Sequence, residues 1–271
     1  RAERLGDPSA PARSTGRCGR IASYQGTVIN KIRNFEELVA VGDSESRRIV
    51  LEIADATLAR LDAYKRIKRI TRLDRDSLTI GTHTWDLSTK RNVYLLGAGK
   101  ACNHMAMAID EILGDRLTAG IAIVKIAVQT DRYNRTEVFV GGHPIPNQVD
   151  YEASLKILDL VDNAGPGDPC IDVISGGSSA LMSCPVDGIT LQGEMDAPDV
   201  LVESGDNIYE ISGIRRHISQ LNGGVLAKRI ADFGAEPVGF GLSESVANPP
   251  RVQDGRGAGR GRWEDPVAGG C

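Results

Sequence analysis

Two short stretches carry the residues whose types and spacing suit chemistry. Asn92 to Met107 reads NVYLLGAGKACNHMAM, and Ile171 to Met182 reads IDVISGGSSALM. Each is an apolar run that breaks into glycine and resumes as a helix-forming segment, the pattern of a parallel strand passing through a tight βα turn. Val93 to Leu96 read as the first strand and Gly97, Ala98 and Gly99 as its turn. A helix from Lys100 onward then carries Met105, Ala108, Ile109 and Ile112 on one face. Backbone N–H groups at a helix start have no intrahelical partner and the helix dipole is positive there, so such a turn suits an anion, phosphate above all. Lys100 adds a full positive charge. Ser175, Gly176, Gly177, Ser178 and Ser179 form the second turn, and two such turns in one sheet point to a site for a phosphorylated ligand.

Neither turn completes a common nucleotide motif. For a P-loop, G-x-x-x-x-G-K-[ST], the first glycine would stand at Tyr94 and the hydroxyl at Ala101. For a dinucleotide fingerprint, Gly97-x-Gly99 fits, but Cys102 holds the third position and no acidic residue near position 120 ends a following strand. Gly176-Gly177-Ser178-Ser179-Ala180 resembles a nucleophile elbow without its last glycine. The glycines also admit a plain structural role, close βα packing. His143, between Gly142 and Pro144, either bonds a loop backbone or faces a ligand, and His104 reads as packing. Arg215, Arg216 and His217 are either a solvated helix face or a grip for carboxylate or phosphate.

The elements that must position these residues alternate between strand and helix. A helical pattern runs from Asp43 to Tyr64, with Ile49, Ile53, Ala56, Leu58 and Leu61 recurring behind a cap at Asp43 or Ser44. A connector with short strands covers 65–90. Strands follow at Gly120–Lys125, Thr136–Val140, Cys170–Ile174 and Pro237–Leu242. Helices are expected at Val149–Asn163, 196–204, 207–221 and Val225–Phe233. This order predicts an α/β, Rossmann-like layered fold with a mainly parallel sheet.

Composition bounds the rest. The chain has 271 residues, 41% hydrophobic and 25% charged, with a net charge of −4, which argues against a nucleic-acid partner. No apolar run reaches the roughly 18 residues of a membrane helix. Five scattered cysteines without a C-x-x-C pair read as incidental thiols in a reducing, cytoplasmic setting. Residues 1–20 and 251–271 lack any apolar period and are expected to be disordered, with the second stretch artefactual if not disordered. The start on Arg1 rather than Met reads as part of a longer frame.

Taken together, the motifs resemble the glycerate 2-kinases, a family whose members have also been called hydroxypyruvate reductases. The segments that carry the resemblance are Asp86-Leu-Ser88, Leu96-Gly-Ala-Gly-Lys-Ala101, Gly142-His-Pro-Ile-Pro-Asn147, Ile174-Ser-Gly-Gly-Ser-Ser-Ala-Leu181, Arg215-Arg-His-Ile-Ser219 and Gly223-Gly224. They keep the family's order over roughly 45 to 250. The resemblance implies phosphorylation of D-glycerate at its 2-hydroxyl by ATP with Mg²⁺, giving 2-phospho-D-glycerate. It implies two α/β domains with the site between them. Residues 21–250 correspond to the first domain, and the second, expected past Pro250, is absent, so the chain as given should bind nucleotide weakly and turn over little. Lys100 matches the family's functional lysine. Gly97, Gly99, His143, Ser175 to Ser179, Arg215, Arg216 and His217 are the implied binding residues. Two departures stand out: Asn222 where the family has lysine, and Glu244 where it has aspartate as a candidate metal ligand. The alternatives are a nicotinamide-dependent hydroxypyruvate reductase and a non-catalytic nucleotide-binding remnant.

Overall fold

The structure, a computed structural model, describes residues 31–127, 131–205, 207–242 and 262–264. The stretch 1–20, nearly all of 251–271 and Glu244 therefore lie outside the described residues. The chain divides into two compact units, Arg1–Arg60 and Leu61–Cys271.

In the first unit, helices α1 (Phe35–Val39) and α2 (Ser44–Arg60) form a hairpin. Asp43 starts α2 by accepting from the N–H groups of Glu45 and Ser46. Arg48 pairs with Glu36 at 2.9 Å and lies over the Phe35 ring. The helix read from 43 to 64 is thus real but stops at Arg60. Its apolar period points outward, with Ile53 63% and Ile49 53% exposed.

The second unit opens with α3 (Ala63–Ile70), which Asp62 caps by accepting from Lys65 N–H. An antiparallel meander follows, β1 (Thr71–Asp74), β2 (Ser77–Ile80) and β3 (His83–Asp86). The main sheet then alternates with helices: β4 (Tyr94–Gly99), α4 (Cys102–Leu113), β5 (Ala119–Val124), β6 (Thr136–Val140), α5 (Gln148–Asp162) and β7 (Pro169–Ser175). A cluster of helices comes next, α6 (Ser178–Leu181), α7 (Leu191–Glu203), α8 (Ile208–His217) and α9 (Val225–Asp232), and then β8 (Glu236–Leu242). A short β9 (Arg262–Glu264) pairs parallel with β8. The order is β6-β5-β4-β7-β8-β9, every pair parallel, so the expected α/β class with a parallel sheet is what the chain forms.

Successive strand residues feed opposite faces. Leu95, Ile171 and Val173 pack with Ile67 of α3, Leu78 and Ile80 of β2 and Ile109 of α4. Leu96, Ile123 and Cys170 pack with Ile157 of α5 and Ile230 of α9. β4 and β7 are covered on both faces, which is why they read as continuous apolar runs.

Two buried carboxylates hold the connections. Asp110 on α4 accepts from Asn134 N–H, Arg135 N–H and the Thr136 hydroxyl, fixing the start of β6. Asp168 accepts from the N–H groups of Arg91, Asn92 and Gly165 and from the Asn92 amide, tying the entry of β4 to that of β7. Burial opposes its ionisation, but these donors win and hold the carboxyl below its ordinary range. Asp168→Ala strands several donors in a dry place and should lower stability by about 2–4 kcal/mol, read as an earlier urea midpoint at unchanged slope. No helix among the described residues is long and apolar enough to cross a membrane.

Candidate functional site

The strand order reverses between β4 and β7: from β4 the chain proceeds outward through β5 and β6, and it returns to place β7 on the other side. In open α/β sheets the crevice for ligands lies outside the carboxyl ends of the strands at such a switch point. The turns after β4 and β7, the two glycine-rich stretches of the sequence, meet at this place.

They meet by interlocking. The Lys100 N–H donates to the Gly176 carbonyl at 2.9 Å, and the Ala101 N–H donates to Ser175 Oγ at 3.0 Å. Sequence reasoning placed the turn at Gly97–Gly99 and the helix from Lys100. Instead β4 runs on through Gly97 to Gly99, with Gly97 in register with Ala122 and Val173 and Gly99 with Val124, and α4 begins at Cys102. Pairing with β5 through Gly99 and with β7 through Ala98 keeps this segment in the sheet. In consequence, the amides of Lys100 and Ala101 serve the second turn, not a ligand. Ser175 is buried and its hydroxyl acts in that lock. Gly97 lets Cys102 and Val173 approach, since a Cβ there would lie 2.6 Å from Cys102 Sγ. Cys102 is a buried thiol whose ionisation burial opposes.

Gly177 turns the chain into α6 with φ +92°, and a Cβ on it would lie 2.7 Å from Cδ2 and Nε2 of His143 and 3.4 Å from Lys100 Cγ. The loop after β6 therefore lays the His143 ring on the Gly177 turn beside the Lys100 side chain. Asp150 holds that loop from below: its Oδ2 accepts from Gly142 N–H at 2.7 Å and Asn147 N–H at 2.8 Å. Burial raises the Asp150 carboxyl, the two backbone donors partly offsetting it. Asn147 and Asp150 form a capping box for α5. Their N-x-x-D spacing is the signal that would have found Asp150 in the sequence.

On the far side of α6, Arg215 donates to the Ser179 carbonyl at 3.3 Å. It also faces the buried Glu194, whose carboxyl burial raises while the Ser183 hydroxyl, donating at 2.6 Å, and Arg215 pull it back. Arg216 instead lays its side chain along Gly223, and the His217 Nδ1 lies 2.8 Å from the Gly213 carbonyl of its own helix. So Lys100, His143 and the 175–179 turn come together, Arg215 joins them through Ser179, and Arg216 and His217 lie elsewhere on α8. These three fall in the last turn of a helix that ends at His217, not inside one running to 221. His104 is exposed on α4 rather than packed. Asn222, in the family's lysine position, donates its amide to the Met182 carbonyl and to Ser219 Oγ.

The chemistry of this set is cationic and donor-rich, the character of an anion site. Among the described residues no three of His, Cys, Asp and Glu come together as metal ligands.

The known proteins that this chain resembles point the same way. A Pyrococcus horikoshii glycerate 2-kinase is 32% identical over 213 residues, spanning 77% of this chain and 47% of that protein. A Pyrococcus horikoshii crystal structure superposes with a TM-score of 0.67 at 29% identity, covering 76% of this chain and 45% of that one. The crystal structure of a Thermotoga maritima glycerate kinase gives a TM-score of 0.63 at 25% identity, over 77% and 46% of the two chains. The chain thus spans about half the length of the curated relatives it matches. Residues 49–252 match the family described as a domain of unknown function, DUF4147, and the chain belongs to that family.

Proposed function

We propose that the crevice at the β4–β7 switch point binds the phosphates of ATP, and that the protein takes part in phosphorylating D-glycerate at its 2-hydroxyl to give 2-phospho-D-glycerate. One observation carries this: the interlocked turns put Lys100, the 175–179 loop, His143 and Arg215 around one place, in a chain whose relatives are named as glycerate kinases.

Phosphoryl transfer asks the protein mainly to align donor and acceptor and to neutralise charge spreading over the moving group. Lys100 supplies a charge at the mouth of β4 for the terminal phosphate. The backbone amides at the Gly177 start of α6 would hold phosphate oxygens. Arg215, held between Ser179 and Glu194, is set to receive the glycerate carboxylate. Its planar fork suits a carboxylate better than a lysine would. Mg²⁺ would travel with the nucleotide. Among the described residues no carboxylate set comes together for it, so no step is assigned to the metal. Cys102, Cys170 and Cys184 are free buried thiols, in keeping with a reducing cytoplasm. A nicotinamide site is disfavoured because Cys102, in the third fingerprint position, is packed under Gly97.

ATP should raise the melting temperature of this chain while NADH does not. With a second domain from a relative joined to the chain, glycerate-dependent ADP release, followed in a coupled assay, should drop about 10²–10³-fold in Lys100→Ala because a charge contact to the transition state is lost. A melting shift with NADH and none with ATP would overturn the kinase reading in favour of the reductase.

A further inference from the structure

We infer that His143 is the group that takes the proton from the acceptor hydroxyl, an inference that rests on the kinase reading above. Its place comes first. The Cδ2–Nε2 edge of the ring lies against Gly177, on the same turn that Lys100 reaches, which sets Nε2 beside the crevice proposed above for the terminal phosphate. The ring is held there from its backbone: Asp150 fixes Gly142 N–H on one side of the loop and Asn147 N–H on the other.

Its availability comes second. The His143 Nδ1 is buried and has no hydrogen-bond partner among the described residues, whereas most buried ring nitrogens are matched to an oxygen. The other titratable groups around the crevice are already committed. Asp150 spends Oδ2 on two backbone amides and turns its Oδ1, without a partner among the described residues, toward Gly141, away from the Gly177 turn. Glu194 accepts from Ser183 and faces Arg215, and Lys100 and Arg215 carry charge of the wrong sign for a proton acceptor. Histidine is the side chain whose ordinary titration suits proton transfer near neutrality.

The step balances as follows. The 2-hydroxyl oxygen of glycerate forms a bond to the γ-phosphorus while the bond from that phosphorus to the β,γ-bridging oxygen breaks, and ADP leaves with the bridging electrons. The hydroxyl proton passes to Nε2, giving an imidazolium that returns it to water after product leaves.

The test uses the full chain, whose four histidines at 83, 104, 143 and 217 make ring signals assignable by single substitution. With a non-hydrolysable ATP analogue and Mg²⁺ present, adding D-glycerate should move the ring ¹⁵N signal of His143 and leave the other three in place. 3-Hydroxypropanoate, which lacks the 2-hydroxyl, should not move it. His143→Gln should keep the melting shift with the analogue and, in the chain joined to a second domain from a relative, lower glycerate-dependent ADP release by about 10²-fold or more. A melting shift with the analogue but a silent His143, or an equal response to both acids, overturns this inference and leaves the kinase reading standing. No response to the analogue by any measure overturns both.

Discussion

Gly99→Ala should cost the protein several kcal/mol and abolish its nucleotide site. Gly99 has φ +133°, and a Cβ there would lie 2.2 Å from Ser175 Oγ, 2.7 Å from the Ser175 carbonyl oxygen and 2.9 Å from its carbon. Two penalties combine. The backbone angle is one that residues with a Cβ rarely adopt, worth about 1–3 kcal/mol. The collision is with the side chain and backbone of Ser175 at the carboxyl ends of the two central strands, where relief requires β4 and β7 to part, adding about 1–3 kcal/mol. Those strands carry the lock between Lys100 N–H and the Gly176 carbonyl, so any relief opens the crevice. Urea melts should show the loss, and the melting shift with ATP should vanish even where the variant still folds. Gly177→Ala is the useful contrast. There the added methyl meets the His143 ring, which can swing aside, so the stability loss should be the smaller of the two. A Gly99→Ala protein with wild-type stability would show that the two turns do not interlock as described.

The same lock shows what the sequence made legible and what it hid. β6 spans Thr136–Val140 as expected, because Val138, Phe139 and Val140 follow a polar turn with the β-branched and aromatic side chains that favour a strand. Boundaries failed where a local cap decided them. Asp62 starts α3 after α2 has ended, and the Thr190 side chain accepts from Gly193 N–H to start α7 at Leu191, ahead of the expected 196. The glycines after Leu96 look like a turn by composition, but pairing with β5 keeps both in the sheet. Candidate site residues carried on motifs could be named in advance. Asp150 was legible only through the N-x-x-D spacing of its cap, and Glu194 and Asp172 were not legible at all, because what sets them apart is burial, which is not written in local residue pattern.

Asp172 is the clearest of these, and Asp172→Asn should stabilise the protein at neutral pH. It sits in mid-strand on β7, between Leu96 of β4 and Gly239 of β8 in register, with its side chain on the face formed by α5 and α9. It is 5% exposed, and its Oδ1 is buried with no partner among the described residues. Burial pushes its carboxyl up from 3.8 to about 8. In the unfolded chain the group loses its proton near pH 4, while in the folded protein it keeps it to about pH 8. Between those values the folded state binds one more proton than the unfolded state, so stability falls as pH rises, by about 1.4 kcal/mol per unit. Below pH 4 the penalty is absent, and above pH 8 it is complete and constant. Asparagine has nearly the same shape and no charge to desolvate. Its amide still needs a partner in the same dry place, which returns about 1–3 kcal/mol of the gain. The net effect at pH 7 should be about 1–3 kcal/mol of added stability, and the contribution of this residue to the pH slope between 4 and 8 should disappear. Urea unfolding of both proteins across that range measures it. Parallel curves for wild type and variant would mean that Asp172 finds a partner or water in solution and carries its charge inside the sheet.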